Sequence, residues 1–251
     1  MNTPQFPADS GAKATAADLE RAMLAQADPD VAKILMRFFK TGPGQYGEGD
    51  RFLGIKNPLT RRTAKAFRGI PVNEAVRAAD SPWHELRLCA LLILLDQYQS
   101  KKTGEKERAA IFEHYADLAR RGRVNNWDLV DLTAPGITGA YAFGHDANTL
   151  ERFAASGRLW EERIAVLSMF PFIRSNQMEE PFRMVDRFLS HPHDLMHKAC
   201  GWMLREIGKR NRAALTDYLE QNKTAMSRTT LRYAIEHYSE PERKAFLTRD
   251  K

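Results

Sequence analysis

The stretch Ser81-Pro82-Trp83-His84-Glu85-Leu86-Arg87-Leu88-Cys89-Ala90-Leu91-Leu92-Ile93-Leu94-Leu95 decides the fold. A serine followed by proline suits a helix start. Leu86, Cys89, Ala90, Ile93 and Leu94 then recur at the three- and four-residue spacing of one helical face. The apolar run from Leu86 to Leu95 is broken by Arg87 and is far shorter than the roughly 20 residues needed to cross a bilayer. It reads as a core helix.

The same pattern extends in both directions. Upstream, Leu19, Met23 and Leu24 begin one helix, and Asp30 is the expected N-cap of a second carrying Val31, Ile34, Leu35, Phe38 and Phe39. Pro58 starts a third with Arg61, Arg62, Lys65 and Arg68, and a short one over residues 72–79 follows Pro71. Downstream, Ile111, Tyr115 and Leu118 mark another. After Trp127 come helices around 135–143, 147–155, 159–173, 178–189, 194–209, 211–222, 226–237 and 240–248. No segment sustains a two-residue alternation, so no strand is expected. Helices of this length, joined by short breaks and lacking a sheet, predict an all-α fold: an α-solenoid of HEAT-like antiparallel helix pairs that stack and curve. An irregular helical bundle is the alternative. Residues 1–16, with Pro4, Pro7, Ser10 and Gly11, read as a flexible leader, and residues 17–251 as a single helical-repeat domain.

The 251 residues are 43% hydrophobic and 28% charged, ordinary for a globular protein, and the net charge of +6 favours an anionic partner such as nucleic acid. No basic segment followed by an apolar one opens the sequence, and Asp9 comes early, so a secretory signal is not expected. Cys89 and Cys200 sit within apolar helical patterns and read as core residues in a reducing, cytoplasmic compartment.

Several motifs fail on context. Gly42, Gly44 and Gly47 match G-x-G-x-x-G, but they follow a helix rather than a strand and open no helix, so the phosphate-cradling geometry is missing. No Gly-Lys-Ser/Thr follows them. His84-Glu85 has Leu88 where a zinc-protease helix needs its second histidine. His193 and His197 have ligand spacing with Cys200 a turn on, but no fourth ligand, so no metal is expected.

A different stretch carries the chemistry: Asn125-Asn126-Trp127-Asp128-Leu129-Val130-Asp131. Helix positions four apart differ by only about 40° around the axis, so Trp127 and Asp131 share a face, while Asp128 points about 100° away. A cationic substrate would use both, the ring face attracting positive charge and the carboxylate stabilising a developing cation. A half-buried Trp with a solvated acid on the next turn satisfies the same spacing. Arg163, in Leu159-Trp160-Glu161-Glu162-Arg163, could pair with Glu161, Glu162 or a neighbouring helix, or contact a phosphate. Trp202, preceded by Gly201, could be core.

These motifs, in order, resemble the DNA alkylation repair family of HEAT-like DNA glycosylases, the AlkD type. Asn125 to Asp131, Leu159 to Val166 and Gly201-Trp202-Met203-Leu204-Arg205-Glu206 carry the resemblance. So do Arg37 to Lys40 with Tyr46 to Ile55, His84 to Arg87, and Met226 to Glu236; together they cover roughly residues 20–240. The resemblance implies a site on the concave, DNA-binding face of the solenoid. In it Trp127 and Trp202 pack against the damaged nucleotide, Asp131 is the catalytic carboxylate, and Arg163 lies near the DNA backbone at the lesion. It further implies hydrolysis of the N-glycosidic bond of cationic N3- or N7-alkylated purines in double-stranded DNA, by a monomer with no metal or organic cofactor and no membrane association. Arg61, Arg62, Lys65, Arg205, Arg228 and Arg232 are the expected phosphate contacts. The rival class is a non-catalytic HEAT-like module that binds damaged or branched DNA.

Overall fold

The computed structural model describes residues 14–248. These are mostly helical, with no strand among the described residues; an isolated parallel bridge joins Arg51 and Trp83. No helix among them is long and apolar enough to cross a membrane. Residues 1–13 of the expected leader lie outside the described part. Thr15 already caps the first helix, Ala16–Leu24, in a capping box with Asp18. The chain divides into two compact units, up to Ile137 and from Thr138 onward.

The first unit is organised around the helix His84–Gln99, and every residue from His84 to Leu94 is buried. The expected single apolar stripe is thus buried on all sides. The cause is the surrounding helices: Ala16–Leu24, Asn57–Ala66, Val72–Ala79, Glu105–Arg120 and Trp127–Thr133 all pack on it. A helix that is apolar all round belongs in such a position. It starts at His84, not at Pro82, because Trp83 bridges Arg51 and the His84 N–H donates to the Arg51 carbonyl.

The second helix departs from expectation in its start and in its buried face. The second helix, Pro29–Phe38, is capped by Asp28, whose carboxylate accepts from the N–H groups of Asp30 and Val31, with Pro29 in the first turn. Asp30 lies inside it. Of its expected apolar face, only Leu35 and the following Phe39 join Ala32 in packing inward; Ile34 and Phe38 are 55% and 59% exposed.

The second unit is organised around Asp194–Arg210, against which Leu159–Leu167, Glu179–Phe188, Arg212–Asn222 and Arg228–Ala234 pack. The expected helix 159–173 is two helices, Leu159–Leu167 and Phe170–Arg174. Pro171 lacks an N–H to donate and is tolerated only in a first turn, so the chain restarts there. Pro135 acts likewise: a 3₁₀ turn, Ala134–Gly136, precedes the helix Thr138–Gly144. Cys89 and Cys200 are buried free thiols, and burial pushes both up to about 12, out of reach of thiolate chemistry.

Gly201 explains how Arg228–Ala234 comes so close to the central helix. A Cβ on it would lie 2.5 Å from the Tyr233 Cβ and 2.6 Å from the Thr230 carbonyl oxygen. Gly201→Ala is therefore expected to destabilise the protein by about 1–3 kcal/mol, the usual range for overpacking, read as a lower midpoint in thermal or urea unfolding.

Candidate functional site

In the first unit, Trp127–Thr133 carries two of the expected site residues. Asn126 begins it in extended conformation, its side-chain oxygen accepting from the Trp127 N–H. Asp128, Leu129, Val130 and Thr133 are buried, whereas Trp127 and Asp131, one turn apart, are half-buried. The helix thus keeps the indole and the carboxylate at its accessible edge. Trp127 stacks on Phe39 at 5.3 Å between centroids and meets Phe38 edge-on at 5.9 Å. Phe39 stacks in turn on Phe52. On the inner side, the buried Tyr115 hydroxyl lies 2.9 Å from Thr133 Oγ1. Burial raises its pKa and the charge of Asp131 raises it further, against the Thr133 hydrogen bond, so the Asp131 carboxylate is close enough for its field to matter.

Asp128 does not point to solvent. Its Oδ2 lies 2.9 Å from His84 Nε2, and His84 Nδ1 lies 2.8 Å from Asp50 Oδ2. Arg87 Nη2 donates to the other Asp50 oxygen and to Asn125 Oδ1 at 2.9 Å, while Arg87 Nη1 donates to the carbonyls of Ser81 and Pro82. His84, Asp50, Asp128 and Arg87 are each no more than 6% exposed. The imidazole also stacks on Phe52, 4.4 Å between centroids. Two carboxylates face one imidazole and one guanidinium, so the charges balance if His84 is protonated. Burial alone would lower the imidazole pKa. The charges and hydrogen bonds of Asp128 and Asp50 outweigh it and raise it to about 9. At Asp50 burial pushes upward, but His84 and Arg87 hold the carboxyl below its usual range.

The glycine-rich loop delivers Asp50. A Cβ on Gly47 would stand 2.4 Å from the Phe39 carbonyl oxygen and 3.2 Å from Asn126 Nδ2, so this backbone approach admits only glycine. After the loop, the N–H groups of Leu53, Gly54 and Ile55 donate to the buried Glu85 carboxylate at 2.8, 2.8 and 3.1 Å. A raised histidine pKa has a defined sign. Its stabilisation is fully present below the unfolded value of about 6.5 and is lost as pH rises through about 9. Between pH 6.5 and 9.5 the thermal midpoint should fall more steeply for the wild type than for His84→Gln, as differential scanning calorimetry would show.

In the second unit, Trp202 is half-buried on Asp194–Arg210. Its Nε1 donates to Glu206 Oε1 at 3.2 Å, and its ring meets Phe170 edge-on at 5.1 Å. Arg163 is buried, and its Nη1 donates to the Leu195 carbonyl at 2.5 Å, in the first turn of the helix that carries Trp202. The neighbouring-helix partner allowed by the sequence is therefore present. Three histidines build the approach to this helix: the His193 ring accepts from the Leu195 N–H, His197 Nε2 reaches the His191 carbonyl at 2.6 Å, and His191 pairs with Glu162 at 2.9 Å. His193 and His197 thus serve as caps and braces. Burial, then the charge of His191, holds the His193 pKa below its ordinary value.

The expected phosphate contacts differ among themselves. Arg61, Arg62 and Lys65 are exposed on Asn57–Ala66, and Arg228 and Arg232 on Arg228–Ala234, where Arg228 also donates to the Leu247 carbonyl. Arg205 is mostly buried, and its guanidinium is committed to Glu236 and Glu206. The sequence placed His84, Arg87 and Asp50 in motifs without a function and set Asp128 about 100° from the Trp127 and Asp131 face, without a partner for it. A signal was available: three ionisable side chains, His84, Glu85 and Arg87, open the helix that carries the apolar run to Leu95.

Residues 19–238 match the model of the DNA alkylation repair enzyme family. A solved structure described as a predicted DNA alkylation repair enzyme from Enterococcus faecalis superposes with a TM-score of 0.67 at 17% identity, over 86% of this chain and 98% of that one, which shows a shared fold. Among curated proteins no match is found. With the family pattern spanning most of the helices described above, this chain belongs to the DNA alkylation repair enzyme family.

Proposed function

We propose that the protein is a DNA glycosylase that hydrolyses the N-glycosidic bond of cationic N3- or N7-alkylated purines in duplex DNA. The observation that carries this is the placement of Trp127 and Asp131 at the accessible edge of one helix whose other side is locked by buried charges. Alkylation at N7 or N3 already makes the base a cation and a good leaving group, so no general acid is required. As the C1′–N bond breaks, its electron pair leaves with the base, which departs neutral. Positive charge then resides on the sugar. The Asp131 carboxylate opposes that charge and orients a water, which adds to C1′ and gives up a proton. The Trp127 face contributes cation–π stabilisation of about 0.5–2 kcal/mol, depending on desolvation. Trp202 is assigned an aromatic contact to the damaged nucleotide. Arg163 is assigned a place near the DNA backbone at the lesion, and its bond to Leu195 also steadies the helix that carries Trp202. The test is to incubate the protein with methylated duplex DNA and measure free 7-methylguanine and 3-methyladenine by mass spectrometry. Retention of duplex without free base would favour the binding module.

Duplex affinity should come mainly from phosphate contacts by exposed cations, with Arg61, Arg62 and Lys65 as the first candidates. Replacing one such contact by alanine is expected to weaken intact and damaged duplex about equally and to reduce the slope of log K against log salt by about one unit. Fluorescence anisotropy across a salt series measures this, and an affinity insensitive to salt would contradict it.

A further inference from the structure

We propose that His84 is a positioning residue: clamped between Asp50 and Asp128, it fixes the helix Trp127–Thr133 so that Trp127 and Asp131 hold their working orientation. This rests on the glycosylase reading for the task of those two residues, but its geometry stands apart from that reading. Three segments distant in sequence meet at one imidazole: the end of the glycine-rich loop through Asp50, the central helix through His84, and the site helix through Asp128. Asp128 is the second residue of the site helix, directly beside Trp127 and three positions before Asp131. A hold there sets both the rotation of the helix about its axis and its height on the central helix.

Neighbouring groups complete the clamp. Arg87 ties the second Asp50 oxygen to Asn125, two residues before Trp127. Phe52 stacks on the imidazole at 4.4 Å and Phe39 meets it tilted at 5.0 Å, while Phe39 also stacks under Trp127. The side chain that orients the carboxylate thus touches the ring that supports the indole. With carboxylates on both nitrogens, the imidazole donates twice, which requires its protonated form. The raised pKa agrees. A core built only for stability would place apolar side chains here, since a buried ion network gives little net stability over a packed apolar one. Its use is geometric.

The test is a double-mutant cycle on single-turnover base release from duplex DNA bearing N7-methylguanine, at pH 7, with wild type, His84→Gln, Asp131→Asn and the double variant. Hydrogen exchange of the amides of 127–133 is followed in parallel. Misplacement of a reacting group by about 1 Å costs on the order of 10²-fold in rate, so His84→Gln should slow release by about 10–10²-fold with duplex affinity retained. In the Asp131→Asn background the same change should cost less than about 3-fold, because the residue it positions is already disabled. Exchange should quicken about 10-fold or more over 127–133 and stay unchanged over 194–210. Equal losses in both backgrounds would mean that His84 serves general stability alone and would overturn the proposal. Unchanged exchange over 127–133 would overturn it whatever the rates. Should His84→Gln fail to fold, Asp128→Asn, which keeps the shape and weakens the bond to His84, is read by the same two measurements. If the wild type released no base, the glycosylase reading would fall, and the exchange measurement would still decide the clamp.

Discussion

Asp131→Asn is expected to slow single-turnover release of N7-methylguanine from duplex DNA by about 10²–10³-fold, the usual loss when one electrostatic group facing the transition state is removed. The substitution keeps the shape of the side chain and deletes its charge. Binding of the duplex should be unchanged or slightly tighter, since a negative charge near phosphates has gone. Some release should survive, because the cationic base can depart slowly without help. Asp128→Asn separates the two acids of the motif. Asp128 is buried against His84, so its replacement acts on the framework, whereas Asp131 sits at the accessible edge of the same helix. Equal single-turnover rates for wild type and Asp131→Asn, both above the spontaneous rate, would remove Asp131 from the chemistry.

Asp50→Ala should give the largest loss of stability. It strips the carboxylate from between His84 and Arg87 and leaves two buried cations with one counter-charge, Asp128. Breaking a buried ion pair by removing one partner costs about 3–5 kcal/mol, because the remaining charge stays desolvated and uncompensated. Urea unfolding followed by circular dichroism measures it. The contrast is Asp80, whose carboxylate pairs with Arg121 and Arg123 but is 40% exposed. For such solvated pairs Asp80→Ala is expected to cost only about 0–1 kcal/mol. A loss at Asp50 no larger than that at Asp80 would show that the network is not desolvated.

The helical fold was legible because apolar spacing records which side of a helix is covered. Leu86, Cys89, Ala90, Ile93 and Leu94 marked the central helix of the first unit, and the absence of two-residue alternation matched the absence of strands among the described residues. Boundaries were less legible where two chemically adequate residues competed. Asp28 and Asp30 can each cap a helix, and only the chain's path, with Asp28 donating its N–H to the Leu53 carbonyl, selects the first. Pro171 did carry the information that splits 159–173, through the N–H it lacks. The apolar residues Ile34 and Phe38 read as core from spacing, but no neighbour covers them to more than half.

For the candidate site, the four-residue spacing of Trp127 and Asp131 put both side chains at the same accessible edge. The spacing could not show what holds that edge in place. Asp50, His84 and Asp128 are separated by 34 and 44 residues, and no local pattern links charges so far apart. The same limit applies to Arg163, whose partner is a carbonyl 32 residues away. Helical phase tells which way a side chain points, and only tertiary packing tells what it meets.

The most direct measurement is incubation of the protein with a duplex bearing one N7-methylguanine at a defined position, followed by alkaline cleavage of any abasic site. The account predicts a strand break at the lesion with wild type, a break slowed by about 10²–10³-fold with Asp131→Asn, and none at an unmodified guanine in the same duplex. An intact strand with wild type, under conditions where the protein holds the duplex in a salt-dependent way, would contradict the glycosylase and leave a DNA-binding module.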